Sequence, residues 1–293
     1  MEIPFEHLRT LAAAVDAGTL DRAAARLGIT PSAVSQRIRV IEQRVGRVVL
    51  RRTKPVTATE AGEPLVRLAR QLDLLEHDAR AALGDDAGSA VVSLAVNADS
   101  LITWFLPALT AVTAAHPVTF ELHREDQERT AQLLAAGTVM AAVTSQRDAV
   151  AGCVSSPLGR MRYTAVATRG FADRWFPQGL GRAALEAAPR VDFDRHDTLQ
   201  SAFARRHGAR RDAPRHIISA SAEFAQAITI GLGWGMLLPG QFEAGVADGS
   251  LVILADDTVE VPLFWQRWNL SSPLLDTVTT AVREAAERSP AVV

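Results

Sequence analysis

Residues 19–42, with the sequence TLDRAAARLGITPSAVSQRIRVIE, constrain the fold most strongly because they predict two short helices separated by a sharp turn. Thr19 and Thr30 are predicted N-caps, and Pro31 falls at a first helical position, where proline is favoured. Gly28 lies at the turn because glycine adopts positive φ at little steric cost. The pattern is typical of a helix-turn-helix, whose second helix lies in the DNA major groove.

The second helix of this motif is predicted to present one face to DNA. Val34, Ile38 and Ile41 are spaced four and three residues apart and should face the core. Polar residues in the first turns are expected to contact base edges, and arginines to contact phosphates or guanine. The predicted contacts are Thr30, Pro31, Ser32, Ser35, Gln36, Arg37 and Arg39. For Ser35, a hydroxyl that serves only local helix packing is the alternative.

Residues 48–59, VVLRRTKPVTAT, predict a two-stranded wing with a basic tip. Arg51, Arg52 and Lys54 would bind phosphates or enter the minor groove. The alternative is a surface hairpin whose cations contact nothing.

Charge is distributed unevenly along the chain, although the net charge is only −2. Residues 22–54 contain nine basic residues and one acidic residue, whereas residues 84–293 contain 18 basic and 23 acidic residues. A basic module on an acidic body is typical of a DNA-binding domain, and a solvated charged face is the alternative.

Several other classes of protein are disfavoured by composition. The single cysteine, Cys153, cannot form an internal disulfide, which fits a reducing cytoplasm and excludes a cysteine-built zinc site. No metal-binding histidine motif or set of nucleophile, base and acid stands out, so we expect neither an enzyme nor a bound cofactor. No run of eighteen apolar residues and no secretory signal is evident, so we expect no membrane span.

A heptad pattern follows the wing, with small or apolar residues alternately three and four positions apart. Its members are Ala58, Ala61, Leu65, Leu68, Leu72, Leu75, Ala79 and Ala82. Such a seam predicts a dimerisation helix, and packing against the chain's own body is the alternative. The polar segment 84–89 then predicts a flexible linker.

The remaining residues alternate between predicted strands and helices. Strands are expected at 91–96, 118–123, 139–143, 161–168, 190–193, 216–220, 235–238 and 261–268, and a final helix at 273–288. Short loops between alternating strands and helices favour an α/β fold with a mostly parallel sheet.

The chain resembles the LysR-type transcriptional regulators over essentially its whole length. The block at 23–46, AAARLGITPSAVSQRIRVIEQRVG, is similar to the helix-turn-helix of that family. The segment at 94–109, LAVNADSLITWFLPAL, is similar to the start of the effector domain in the arginine- and lysine-responsive subgroup, which controls export of basic amino acids. One departure is Pro31-Ser32, where many members have Gln-Pro.

The resemblance implies a winged helix-turn-helix (1–58), a linker and dimerisation helix with its hinge (59–88), and an effector-binding domain (89–293). That domain would be two-lobed, Rossmann-like and similar to periplasmic binding proteins. Lobe I would comprise about 89–160 and 267–293, lobe II about 161–266, with crossover strands near 160 and 265 and the ligand between the lobes.

Effector residues are predicted at the carboxyl ends of strands, where open α/β sheets bind ligands. The candidates are Asn97, Ala98, Asp99, Ser100, Glu125, Asp126, Thr144, Ser145, Asp194, His196, Thr198 and Glu223. Ser100 and nearby backbone amides would bind an α-carboxylate. Asp99 is either a helix cap or the partner of an α-ammonium group. Glu125 and Asp126 would pair with a cationic side chain or cap the following helix.

The sequence therefore predicts a cytoplasmic transcription regulator that forms a homodimer and then a homotetramer. Its partners would be double-stranded promoter DNA, L-lysine or L-arginine, and as a further candidate RNA polymerase. It would control genes of amino acid export or metabolism. The main alternative is a nucleoid-associated or replication-modulating DNA-binding protein without specific ligand control. A third possibility, for the two-lobed body alone, is a solute-binding or enzymatic domain.

Overall fold

The computed structural model describes residues 2–85, 88–124 and 127–293, which divide into two compact units. Unit 1 contains the residues up to Asn97 together with Leu109–Ser156 and Trp265–Ala281. Unit 2 contains Ala98–Ala108, Pro157–Phe264 and Val282–Val293.

The N-terminal part of unit 1 is the predicted winged helix-turn-helix. Its elements are α1 (Phe5–Ala17), α2 (Leu20–Leu27), α3 (Pro31–Val45), β1 (Leu50–Arg51) and β2 (Thr57–Ala58). Leu11, Val34, Ile38 and Ile41 are buried in one core, as their helical spacing predicts. β1 and β2 pair antiparallel and form the wing.

The long helix α4 (Glu63–Leu83) follows the wing and begins near Pro64, as expected for proline in a first turn. The heptad seam divides over this helix. Leu65 is buried and Leu72 half-buried in the core that α4 shares with α1. Leu68 and Leu75 are exposed, with relative accessibilities of 41% and 37%. The seam therefore contributes both to packing on the chain's own body and to an uncovered apolar stripe.

The chain continues into a parallel sheet of unit 1, interrupted by Ala98–Ala108, which belong to unit 2. The next elements are β3 (Ala90–Val96), α5 (Ala98–Ser100), a π-helical turn (Leu101–Phe105), α6 (Leu106–Ala115), β4 (Val118–Arg124), α7 (Gln127–Ala135) and β5 (Ala141–Thr144). β3 pairs parallel with both β4 and β5. Their carboxyl ends therefore lie at the same edge of this sheet, as the sequence predicts.

The remaining elements lie mainly in unit 2. They are β6 (Cys153–Thr168), α8 (Arg169–Trp175), α9 (Arg182–Ala187), β7 (Arg190–Asp192), α10 (Leu199–Arg206), β8 (Arg215–Ile217), α11 (Ser221–Thr229), β9 (Gly235–Leu237), α12 (Glu243–Asp248), β10 (Leu251–Trp268) and α13 (Pro273–Glu287). β6 pairs antiparallel with β9, and β7 pairs parallel with β8.

Two strands are longer than predicted. β6 begins at Cys153 and β10 at Leu251, eight and ten residues before the predicted starts. The added parts contain Pro157, Gly159, Asp256 and Asp257, which are residue types depleted in strands. Pairing with neighbouring strands overrides this local preference.

Candidate DNA-binding and effector sites

Local contacts fix the turn that orients α3. The Thr19 hydroxyl accepts the Arg22 N–H at 3.2 Å, and the Thr30 hydroxyl accepts the Ala33 N–H at 3.2 Å. Gly28 has φ of +65°, in the left-handed region. Both predicted caps and the predicted turn glycine are confirmed, so the recognition helix begins at Pro31.

The predicted contact residues on α3 are mostly accessible. The exposed ones are Thr30, Pro31, Ser32, Gln36 and Arg39. Ser35 is half-buried, while Val34, Ile38 and Ile41 are buried on the other face. Because the exposed side chains are concentrated in the first two turns, they have the placement that base readout in the major groove requires.

Arg37 makes contacts that the sequence did not predict. Its guanidinium donates to Thr10 Oγ1 at 3.2 Å and to a Glu6 carboxylate oxygen at 3.2 Å. Both partners belong to α1, and the Arg37 side chain is only 28% exposed. Arg37 therefore joins α3 to α1, and the Glu6 carboxylate would compete with DNA phosphate for its guanidinium.

The wing carries an exposed cationic tip. Arg51, Arg52 and Lys54 are all exposed. The loop that joins the two strands of the wing is held to the end of α1 by the Val56 N–H, which donates to the Gly18 carbonyl at 2.8 Å. The wing thus presents three exposed cations, and among the described residues no ion pair joins them to an acidic side chain.

We expect Gln36→Ala to relax sequence discrimination. Gln36 is exposed on α3, and removal of one base-edge hydrogen bond should reduce discrimination by about 1–3 kcal/mol. Binding titrations against the promoter fragment and single-base variants of it would measure this reduction. A variant that kept full discrimination would contradict the assigned base contact.

We expect Arg52→Ala to weaken binding to all DNA sequences alike. Removal of one phosphate-binding cation should reduce the slope of log K against log salt by about one unit. Affinity measured on specific and random DNA at several salt concentrations tests this. Arg80→Ala is the matched control, because Arg80 is exposed and pairs with Glu76 on its own helix. An unchanged slope for Arg52→Ala would contradict the proposed role of this arginine.

Several predicted effector residues meet at the strand edge of unit 1. Asn97 follows β3 and Thr144 ends β5, which pairs parallel with β3. Thr144 is buried, and its hydroxyl accepts the Gln146 N–H at 3.1 Å, while Ser145 is half-buried. Glu125 and Asp126, predicted in the loop after β4, lie outside the described residues.

Asp99 lies within α5, in unit 2, and its carboxylate bonds to a side chain of β6. The Tyr163 hydroxyl donates to Asp99 Oδ2 at 2.7 Å. Burial raises the pKa of Asp99; the Tyr163 hydrogen bond opposes this rise, and the nearby negative charge of Asp197 adds to it. The same burial and carboxylates raise the pKa of Tyr163 well above its ordinary value. A cation placed here would stabilise the Asp99 carboxylate.

The loop after β7 orders itself through its own carboxylates. Asp194 Oδ1 accepts the N–H groups of His196 at 2.6 Å and Asp197 at 2.8 Å. Asp197 accepts those of Phe193 at 2.9 Å and Leu199 at 3.0 Å. Both carboxylates are thus engaged by the backbone of their own loop, and Asp197 lies close enough to Asp99 to help raise the pKa of Asp99.

The other predicted residues of unit 2 are scattered. Ser100 is buried, with its hydroxyl 3.7 Å from the Met161 sulfur, and Ala98 is half-buried. His196, Thr198 and Glu223 are exposed.

Tyr163 is absent from the predicted set. Asp197 follows the same predicted strand as Asp194, so the sequence indicates it as a candidate as well, but its position next to Asp99 in space has no local sequence signal. Tyr163 is the chain's only tyrosine, which is the one signal that could have drawn attention to it.

One helical stretch, Ala98–Ala115, is long and apolar enough by length and composition to cross a membrane, and a third of it is buried. It contains Asp99, which is bonded to Tyr163, and the buried Trp104 and Phe105. These contacts are those of a helix packed within a domain. The described residues contain no group of three or more side chains suited to a metal ion.

Two family models match the chain. Residues 5–63 match the bacterial regulatory helix-turn-helix protein of the lysR family, and residues 86–287 match the LysR substrate binding domain. The chain belongs to the LysR family of transcriptional regulators. Membership confirms the predicted family and fold class, and it confirms a DNA-binding regulator rather than an enzyme.

Relatives within the LysR family extend over nearly the full length. The HTH-type transcriptional regulator LysG of Mycobacterium tuberculosis is 43% identical over 282 residues, which is 95% of this chain and 92% of the relative. The crystal structure of ArgP from Mycobacterium tuberculosis has a TM-score of 0.87 at 43% identity, covering 96% of this chain and 97% of that one. Full-length LysG of Corynebacterium glutamicum with bound effector Arg has a TM-score of 0.80 at 38% identity, covering 98% and 99%.

Proposed function

We propose that this LysR-family regulator binds promoter DNA under the control of a basic amino acid, L-arginine or L-lysine. The Asp99–Tyr163 pair with Asp197 nearby is the observation that carries this proposal, because partly buried carboxylates favour a cationic ligand. The similar Corynebacterium glutamicum protein was solved with arginine as its effector. The target genes would be those of amino acid export or metabolism.

Asp99 is the proposed partner of the effector's α-ammonium group. Its carboxylate is held by Tyr163, so its position is set before the ligand arrives. Ser100 and the backbone amides beside it are the proposed site for the α-carboxylate. Asn97, Thr144 and Ser145, at strand ends of the parallel sheet, remain proposed contacts for the rest of the ligand. So do Glu125 and Asp126, which lie outside the described residues.

Dimerisation through α4 forms part of the proposal. Leu68, Leu75, Ala79 and Ala82 are exposed along this helix and keep heptad-compatible spacing. A second copy that covered this stripe would place two recognition helices on two DNA half-sites. We propose a homodimer that assembles further into a homotetramer, acts in the cytoplasm and engages RNA polymerase at the promoter.

The predicted domain limits also remain part of the proposal. They are 1–58 for the winged helix-turn-helix, 59–88 for the linker helix and 89–293 for the effector domain. β6 runs from unit 1 into unit 2 at 156–157, and β10 runs from unit 2 into unit 1 at 264–265. These two strands support the proposed crossovers near 160 and 265.

A thermal-shift screen of the twenty amino acids on the purified protein tests the ligand. L-Arginine or L-lysine should raise the midpoint of unfolding most, because a ligand that binds only the folded state stabilises it. Footprinting upstream of the protein's own gene then identifies the DNA site. If neither basic amino acid raised the midpoint while another metabolite did, the proposed effector would be wrong.

A further inference from the structure

Two arginines of α4 reach away from their own helix to backbone carbonyls of the effector part of unit 1. Arg67 donates to the Ala151 carbonyl at 3.0 Å and lies 3.5 Å from that of Ala135. Arg70 donates to the Gly137 carbonyl at 2.6 Å. Ala135 and Gly137 lie at the C-terminal end of α7, where the helix dipole favours positive charge.

The backbone at the end of α7 comes unusually close to α4. Gly137 has φ of +69°, and a Cβ on it would lie 2.5 Å from the Arg67 Cβ. Only glycine allows both this left-handed conformation and this approach. The turn is held by the Thr138 N–H, which donates to the Leu133 carbonyl at 2.8 Å. The contact is therefore built into the backbone rather than limited to flexible side-chain tips.

Arg70 also reaches the DNA-binding part. Its second terminal nitrogen forms an ion pair with Asp16 of α1. The Arg70 side chain is only 16% exposed, so this pair is screened less by solvent than most surface ion pairs. One guanidinium thus joins α1, α4 and the end of α7.

Helix α7 is firmly packed inside the effector part. Leu133 and Leu134 share a buried cluster with Ala95, Val139 and Ala142. Nine helical residues span about 13 Å at a rise of 1.5 Å per residue. The helix begins after β4, and the end of β4 belongs to the strand edge proposed for the effector. The C-terminal end of the helix contacts Arg67 and Arg70. It is a rigid connection between these two places.

Open space adjoins the Arg70–Asp16 pair. A cavity of about 700 Å³ is lined by Asp16, Arg70, Asp73 and His123, among others. The ends of the Arg70 and Asp16 side chains therefore border open space, whereas α4 itself stays packed on α1 through Leu65 and Leu72.

We propose that Arg67 and Arg70 form an arginine clamp, defined by these two residues with Asp16 and Gly137, that couples effector binding to the arrangement of the DNA-binding part. The clamp is closed in this structure. Effector and DNA influence one another because they favour different states of the clamp. The identity of the effector rests on the proposed function, whereas the clamp rests on the contacts of α4.

The test measures the dissociation constant of L-arginine with and without the footprinted DNA, for wild type, Arg67→Ala, Arg70→Ala and the double variant. The ratio of the two constants is the coupling factor, typically 5–150-fold in allosteric proteins. We expect the double variant to bring this factor below about twofold, while its arginine affinity without DNA stays within about threefold of wild type. Arg80→Ala is the matched control on the same helix and should keep the wild-type factor.

Hydrogen exchange without any effector gives a second, independent measurement. The double variant should exchange the Thr138 and Val139 amides faster than wild type, and Arg80→Ala should not. Unchanged exchange, or a wild-type coupling factor in the double variant, would overturn the clamp. If wild type did not bind L-arginine or L-lysine, the proposed effector would fail, and the exchange measurement would still decide whether the clamp holds α7.

Discussion

Asp99→Asn is expected to lower the affinity for L-arginine by about 10- to 150-fold, which corresponds to about 1.5–3 kcal/mol for removal of a charge-assisted hydrogen bond. Asparagine keeps the size of aspartate and an oxygen that can accept the Tyr163 hydroxyl, so the local packing is preserved. Isothermal titration of the variant measures the change. Affinity for DNA in the absence of effector should stay at the wild-type value.

Asp256→Asn is the matched control for this variant. Asp256 is an exposed residue of the same unit, on β10, and its replacement should leave arginine binding unchanged. Equal affinities for Asp99→Asn and Asp256→Asn would remove Asp99 from the effector site.

The raised pKa of Asp99 gives this contact a pH dependence with a defined sign. Because the folded protein holds the proton more tightly than the unfolded chain, the stabilisation linked to Asp99 is fully present below its ordinary pKa and is lost as pH rises through the raised value. A cationic effector requires the carboxylate, so its affinity should fall as pH is lowered through the raised pKa. Titrations across this acidic range should show the fall in wild type and not in Asp99→Asn.

Ile41→Ala should destabilise the DNA-binding part by about 2–5 kcal/mol, the usual cost of removing a large buried aliphatic side chain. Ile41 is fully buried where α3 packs against its core, so the variant leaves a cavity beneath the recognition helix. Urea unfolding followed by circular dichroism measures the destabilisation, and DNA binding should fall with it.

The control for Ile41→Ala is Val48→Ala in the same part of the chain. Val48 is 63% exposed, so its truncation should change the free energy of unfolding by no more than about 0.5 kcal/mol. Similar changes for the two variants would contradict the packing described for α3.

The helix-turn-helix was predictable in detail because its determinants are local. The Thr19 and Thr30 caps each act within three residues, and Gly28 determines its own turn. Arg37 shows where this reasoning stops, since its partner Glu6 lies 31 residues away and nothing in the local pattern indicates the pair. An arginine that is exposed on a recognition helix and an arginine that pairs with another helix occupy the same kind of position in the sequence pattern.

The effector site was harder to predict from the sequence, because its contacts also join residues that are distant in the chain. The strand ends were predictable from apolar runs, and the parallel pairing of β3 and β5 brings Asn97 and Thr144 to one edge. The bond from Tyr163 to Asp99 spans 64 residues and depends on tertiary folding. The heptad seam was predictable as a helix, but not its surroundings. Periodicity alone does not distinguish the leucines that face α1 from those that stay exposed.

We propose that one protein couples a basic amino acid to promoter DNA. The most direct measurement is the dissociation constant of L-arginine for the wild-type protein alone and when saturated with its footprinted DNA. We expect the two constants to differ by at least about fivefold, because effector and DNA favour different states. Equal constants for L-arginine, and likewise for L-lysine, would contradict it.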